Sequence, residues 1–265
     1  MTFVRLIGGL GNQLFQIAAA FAHARRRGQT LTLSSDVDGG RGRPNYYTTF
    51  LHQCAQFIGG PSRDGPSYHE PHFHYAEIPR GVTAIHGYYQ SSRYFREFRD
   101  EVSALFDPHP VIKGVVEAKY ASYFAEKATT VIVHVRRGDY MQKDKIAFHG
   151  ILTPAYYRAA MALCRERLGS DTKFLVLSDD IEYCRATYGS DEGVTCVNEP
   201  NEAVALHFMS QFQNYILSNS SFSWWASYLG QTATLVVAPD RWFGPAGPQD
   251  VQDIYEDGWI RLKAE

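Results

Sequence analysis

No two cysteines in this chain are spaced as a metal or redox pair. The four present (Cys54, Cys164, Cys184, Cys196) form no CxxC and no finger-type spacing. A zinc framework is therefore excluded, and reduced packing cysteines are expected. An excess of either charge is also missing. The 26 basic and 28 acidic residues leave a net charge of −2, which gives no case for nucleic acid as the general partner. No apolar run reaches the roughly 18 residues of a membrane span, and residues 2–7 read as a strand, so no secretory leader is expected. A cytoplasmic protein with no transmembrane segment is expected, which leaves peripheral membrane association open. Neither a GxGxxG fingerprint nor a P-loop occurs. Apolar residues, by contrast, make up 45% of 265 positions, enough core for one large domain or two of ordinary size.

The stretch that organises the rest is Val131-Ile132-Val133-His134-Val135-Arg136-Arg137-Gly138-Asp139-Tyr140. A mostly β-branched apolar run that ends in a polar cluster is how a buried parallel strand delivers its carboxyl end to a ligand. Adjacent guanidinium groups match the oxygens of a phosphate or diphosphate. The plainer alternative is that Arg136 and Arg137 pair with Asp139 in solvent, since such ion pairs are common and weak.

Ahead of it, a strand at 2–7 runs into Gly8-Gly9-Leu10-Gly11-Asn12-Gln13-Leu14-Phe15-Gln16. Three glycines allow a tight turn whose N–H groups, those of Gly9 and Gly11 among them, come close to a ligand or serve the turn alone. A helix is expected over 12–27, with Gly28 after its end, and Asn12 is either its N-cap or a polar group offered to a ligand. The basic run Arg25-Arg26-Arg27 reads as complementing the helix dipole. A second strand is expected at 30–33, and residues 36–80 resist assignment. Within them, Asp36-Val37-Asp38 is expected in a loop rather than in a metal site. The histidines His69, His72, His74 and His86 are read as satisfied or exposed rather than zinc-binding. A strand at 83–89, a helix from Ser91 or Ser92 to 106 and a helix over 111–126 complete a first domain, expected to be 1–126.

From 127 to 265 strands and helices alternate, with strands at 131–135, 173–177, 194–197, 215–217 and 234–238. That is the pattern of a parallel, doubly wound sheet. Three polar clusters fall at strand carboxyl ends: Arg136/Arg137/Asp139, Ser178-Asp179-Asp180, and Ser218-Asn219-Ser220-Ser221-Phe222-Ser223. Each could be capping chemistry, but they converge on one sheet edge. The last opens a helix, which is a ready anion site.

With these passages together, the chain resembles the α-1,2-fucosyltransferases of glycosyltransferase family 11. The resemblance is carried by residues 8–16, 134–140, 174–180 and 206–225, the last ending Ser220-Ser221-Phe222-Ser223-Trp224-Trp225. It implies an α/β, GT-B-like fold of two Rossmann-like domains facing across a cleft, the C-terminal one holding GDP-β-L-fucose. It implies Arg136 on the diphosphate and leaving oxygen, with Arg137 in support, and His134 with Asp179 or Asp180 against guanine or ribose. It also implies Ser220, Ser221 and Phe222 on phosphate, and Asn12 facing the diphosphate and acceptor from the N-terminal domain. The reaction would be an inverting, metal-independent transfer of L-fucose to the 2-hydroxyl of a terminal galactose, with no cofactor. The general base stays open among Asp139, Asp144 and His149. The alternatives are another acceptor or linkage, or a nucleotide-sugar-binding module without turnover.

Overall fold

The computed structural model describes residues 1–38, 44–61, 65–230 and 233–265. The chain forms two compact units, Met1–Lys113 with Asp250–Glu256, and Gly114–Gln249 with Asp257–Glu265. Both are α/β units built on parallel sheets.

Unit 1 contains β1 (Thr2–Leu6), α1 (Leu10–Arg27), β2 (Leu31–Val37), β3 (Ser67–His69), β4 (Ala84–His86) and α2 (Arg99–Leu105). Its sheet runs β2-β1-β4-β3, all parallel. Leu14, Phe15, Ile17 and Ala18 on α1 are fully buried. α1 stops at Gly28, whose left-handed backbone (φ 60°) lets its N–H close on Ala24 and Arg25. The helix expected from Ser91 or Ser92 to 106 is instead two 3₁₀ turns followed by the seven residues of α2. The reason is local: Phe95 leaves helical geometry (φ −141°, ψ 2°) to bury its ring against Phe15. The irregular stretch does hold structure. β2 continues through Asp36 and Val37, and β3 pairs with β4; residues 39–43 and 62–64 of that stretch lie outside the described ones.

The helix α3 (Pro110–Tyr120) carries the chain across the division. Residues 114–126 pack with unit 2, not with unit 1 as a boundary at 126/127 implied. Tyr120 stacks near Phe208, and its hydroxyl donates to Glu199 at 2.7 Å. Unit 2 continues with β5 (Thr130–Val135), α4 (Ile146–His149), α5 (Pro154–Leu168), β6 (Lys173–Ser178), α6 (Ile181–Tyr188) and β7 (Val194–Cys196). It ends with α7 (Glu202–Met209), β8 (Asn214–Ile216), α8 (Ser221–Leu229), β9 (Leu235–Pro239) and β10 (Ile260–Leu262). The order is β10-β9-β8-β5-β6-β7, again all parallel. All six residues of β5 are buried, as its central place demands. Five strands were expected, the last at 234–238, yet β10 adds a sixth. At three residues with one polar side chain, β10 is too short for period-2 patterning to reveal.

Candidate active site

In unit 2 the chain moves outward from β5 to β6 and β7, then returns to the other side of β5 with β8, β9 and β10. The order therefore reverses between β5 and β8. Ligands of open α/β sheets sit outside the carboxyl ends of strands at such a reversal. Arg136 and Arg137 follow β5, Ser218 to Ser220 follow β8, and Asp179 and Asp180 follow the adjacent β6.

Arg136 is held by two carboxylates. One nitrogen of its guanidinium contacts Asp179 Oδ2 at 2.7 Å, and the other donates to Asp139 Oδ1. Burial opposes its charge, but Asp179 and Asp139 outweigh that and raise its pKa above the ordinary guanidinium value. Its plane lies over the Tyr140 ring, 5.0 Å from the centroid. The Tyr140 hydroxyl is pushed up to about 12, chiefly by burial, with Arg136 pulling the other way. Lys145 reaches the second oxygen of Asp139 at 3.3 Å. Arg137 points elsewhere. Its side chain donates to Asp180 at 3.2 Å and covers the Tyr183 ring at 3.5 Å, while its backbone N–H donates to Asp179 Oδ1 at 2.9 Å. Both arginines are thus paired with carboxylates of the chain itself, as the plainer alternative required for Arg136. Arg137 departs from it in taking Asp180 instead of Asp139.

Asp180 has a second task, as the N-cap of α6. Asp179 lies so close to the 138 backbone that a Cβ there would stand 2.2 Å from Oδ2, which explains Gly138. His134 is only 6% exposed and is held neutral, its pKa lowered to about 3 by burial and then by Arg136. Its Nδ1 shares a 2.8 Å hydrogen bond with Ser218 Oγ, and its ring lies 5.4 Å from that of Phe222. Ser220 is the N-cap of α8 and accepts from Phe222 N–H at 3.3 Å. Ser221 and Phe222 form the first turn, both half-buried. His134 therefore ties the end of β5 to the start of α8.

Three contributors were not singled out from the sequence: Tyr140 under Arg136, Lys145 on Asp139, and Tyr183 under Arg137. The aromatic three residues beyond the Asp180 cap was a legible signal for Tyr183. Lys145, inside a charged loop, offered none. His149 stacks on Tyr140 at 4.0 Å with its pKa lowered, mainly by burial.

In unit 1 the order reverses between β1 and β4. Gly8 has φ +79°, and a Cβ there would meet Asn12 Nδ2 at 2.6 Å, so only glycine fits. α1 starts at Leu10 with Gly9 as its N-cap, so Asn12 is the third helical residue and not the cap. Asn12 Oδ1 accepts from Gln90 Nε2 at 2.9 Å. Gln90 is presented after β4 by Tyr89, which has φ +52° and whose N–H, like that of Tyr88, donates to Glu70. Gly11 is buried in the first turn. Asp38, from the Asp-X-Asp sequence, accepts from the Gly8 N–H at 3.0 Å. Among the described residues no three His, Cys, Asp or Glu side chains converge as a metal site.

The family model described as glycosyl transferase family 11 matches residues 67–263. The chain belongs to glycosyltransferase family 11. Among its relatives, an alpha-1,2-colitosyltransferase of Escherichia coli is 30% identical, the match covering 98% of each chain. Galactoside 2-alpha-L-fucosyltransferase Sec1 of Mus musculus is 26% identical over 90% of this chain and 67% of its own. The solved structure of the fucosyltransferase NodZ from Bradyrhizobium has a TM-score of 0.57 at 16% identity, covering 88% of this chain and 94% of its own. That similarity concerns the fold, which is GT-B-like with two Rossmann-like units. Among the described residues, no helix is long and apolar enough to cross a membrane.

Proposed function

We propose that this family 11 enzyme transfers L-fucose from GDP-β-L-fucose to the 2-hydroxyl of a terminal galactose, with inversion. The observation that carries the reading is the Arg136 guanidinium, oriented by two carboxylates and an aromatic face at the β5/β8 reversal, beside the hydroxyl-lined start of α8. The acceptor oxygen bonds to the anomeric carbon as the bond to the diphosphate oxygen breaks, and that electron pair leaves with GDP. Arg136 meets the developing charge on the departing oxygen, in the place a divalent cation fills elsewhere. Ser220, Ser221 and Phe222 hold phosphate through hydroxyl and N–H donors. Arg137 supports Arg136, and Asp179 and Asp180 accept donors of ribose or guanine once the nucleotide takes over the guanidiniums. His134, neutral and buried, positions Ser218 and Phe222. Asn12 contributes an amide toward donor or acceptor, with the Gly9 and Gly11 backbone shaping the turn that carries it. No metal and no cofactor is required.

Asp139 is engaged by Arg136 and Lys145, and its role in this proposal is to aim Arg136. The acceptor proton passes to Asp144 or His149.

One observation favours a second donor. The Escherichia coli relative is named a colitosyltransferase, and colitose is fucose without its 3-hydroxyl. Mass spectrometry and NMR of products from GDP-fucose or GDP-colitose with a panel of galactosides tests both readings. A new α-1,2-fucosyl galactoside with release of GDP is expected. Preference for the deoxy donor by about tenfold or more would replace fucose by colitose, since a pocket built to bind a hydroxyl strongly rejects its absence. Binding without GDP release under any acceptor would leave a binding module.

A further inference from the structure

Away from the β5/β8 site, unit 1 contains a cavity of about 300 Å³ at the C-terminal end of α1. Four arginines line it, namely Arg26, Arg27, Arg93 and Arg96, against two acids, Glu77 and Glu97. The chain as a whole is slightly acidic, so this concentration of positive charge is local. Two of the four are committed: Arg26 donates to Glu97 at 2.8 Å and to Tyr94 O at 2.7 Å, and Arg93 pairs with Asp253 at 3.1 Å. The other two are not. Arg27 comes only to within 4.0 Å of Glu77, its Nε is buried with no partner, and Arg96 pairs with no described carboxylate.

The decisive group is His23, which also lines the cavity. It is 2% exposed, and its Nε2 is buried without a hydrogen-bond partner. An unpaired polar atom of this kind costs stability and calls for an explanation. It is also kept neutral, with a pKa of about 4, by burial and then by Arg27 and Arg26, so it carries no charge of its own to be balanced. His23, Arg27 and Arg96 line the same cavity, and a small anion with several oxygens entering it would offer acceptors to the Arg96 guanidinium and, after a small shift of the atoms that cover them, to the Nε2–H of His23 and the Arg27 Nε–H. A guanidinium fork suits the oxygens of phosphate. The run Arg25-Arg26-Arg27 thus does more than complement the helix dipole. Arg25 does only that and pairs outward with Glu101 at 2.8 Å.

We propose that this cavity binds a phosphate group, separate from the nucleotide diphosphate assigned to unit 2. The proposal stands independently of the donor and acceptor readings above. The phosphate can come free from solution or on a phosphorylated glycan.

The probe is inorganic phosphate, titrated into the full-length Arg136→Ala protein by calorimetry at constant ionic strength with chloride as control. Saturable binding should persist there and weaken about tenfold on adding Arg96→Gln or His23→Leu, the effect of losing one hydrogen bond to a charged partner. Arg96 is exposed, so its replacement leaves the fold intact. His23→Leu should unfold no more readily than the parent, because it removes an unsatisfied buried nitrogen. Phosphate binding that is absent, matched by chloride, or indifferent to both substitutions would overturn the proposal. So would a His23→Leu protein that is markedly less stable, since Nε2 would then be serving the fold. The source is read from a binding pair: a galactoside carrying a phosphate binds more weakly to Arg96→Gln than to the parent only if the glycan supplies the group. If free phosphate alone responds, the solution ion is the ligand.

Discussion

In unit 2 the strand order reverses between β5 and β8, and what lies beyond is charge: two guanidiniums, three carboxylates and a lysine, each in an ion pair with at least one of the others. In unit 1 the order reverses between β1 and β4, and the described residues beyond it are glycine backbone and the amides of Asn12 and Gln90, with the Asp38 and Glu70 carboxylates taken up by backbone N–H groups. The two ends share a strand reversal and differ in what they offer a ligand, paired guanidiniums in unit 2 and amides in unit 1. A charged end can stabilise a leaving diphosphate but loses selectivity for neutral groups. An amide end cannot offset charge, yet it can fix a hydroxyl by geometry. The difference divides the proposed reaction between them, with departure of GDP assigned to unit 2 and placement of sugar hydroxyls to unit 1.

The largest effect should come from the charged end. Arg136→Lys keeps the charge but cannot contact Asp139 and Asp179 through two nitrogens in one plane. Steady-state rates with GDP-fucose should fall by roughly two orders of magnitude in kcat, as when an oxyanion donor is removed. A rate within about threefold of the parent would take Arg136 out of the reaction and leave it as scaffold.

Next comes the amide end. Asn12→Asp keeps the oxygen that accepts from Gln90 and puts a carboxylate in the first turn of α1, which the helix dipole favours. The variant should therefore fold normally, while kcat/KM falls at least as far as in Asn12→Ala. Full activity in Asn12→Asp would show that unit 1 tolerates charge, and the contrast between the two ends would lose its meaning.

Each unit also buries one neutral histidine, His23 in unit 1 and His134 in unit 2. Their folded pKa values, about 4 and about 3, lie below the ordinary value of 6.5. The unfolded chain therefore takes up protons that the fold refuses. Stability is present above pH 6.5 and is lost as pH falls toward those values, by up to ~2 kcal/mol per histidine at pH 5. Urea unfolding at pH 7 and pH 5 should show this loss, and His134→Asn should remove about half of it. An unchanged pH response in that variant would place the acid sensitivity elsewhere. The smallest effect concerns metals. EDTA should leave the rate unaltered, because guanidinium charge fills the role of a cation; loss of activity restored by Mg²⁺ or Mn²⁺ would break the assignment of leaving-group stabilisation to Arg136.

Much of this was legible from residue order. The β5, β6 and β8 segments were readable because buried central strands are largely apolar runs, and the three polar clusters followed from their carboxyl ends. The caps at Thr153, Asp180, Asn201 and Ser220 obey local chemistry that sequence displays directly. What did not show was pairing at a distance. That Arg136 would choose Asp179, 43 positions away, and that Arg137 would lie on Tyr183, depends on β5 and β6 being neighbours. The same holds for Gln90 on Asn12, which requires β1 beside β4. Phe95 broke a well-patterned helix because one buried ring outweighed weak local propensity.

The path of the chain has a consequence for how the protein is made. Residues 250–256 return to unit 1, where Asp253 accepts from the Tyr75 N–H at 2.8 Å and holds Arg93, and only then does β10 close the edge of unit 2. Unit 1 is begun first during synthesis, yet it lacks a piece until after almost all of unit 2 has been translated. Domains usually fold in the order they emerge; here neither can be finished before the ribosome has passed residue 256. Truncation shortly before residue 250 should therefore weaken both units at once, and a nascent chain stalled there should remain protease-sensitive along its whole length.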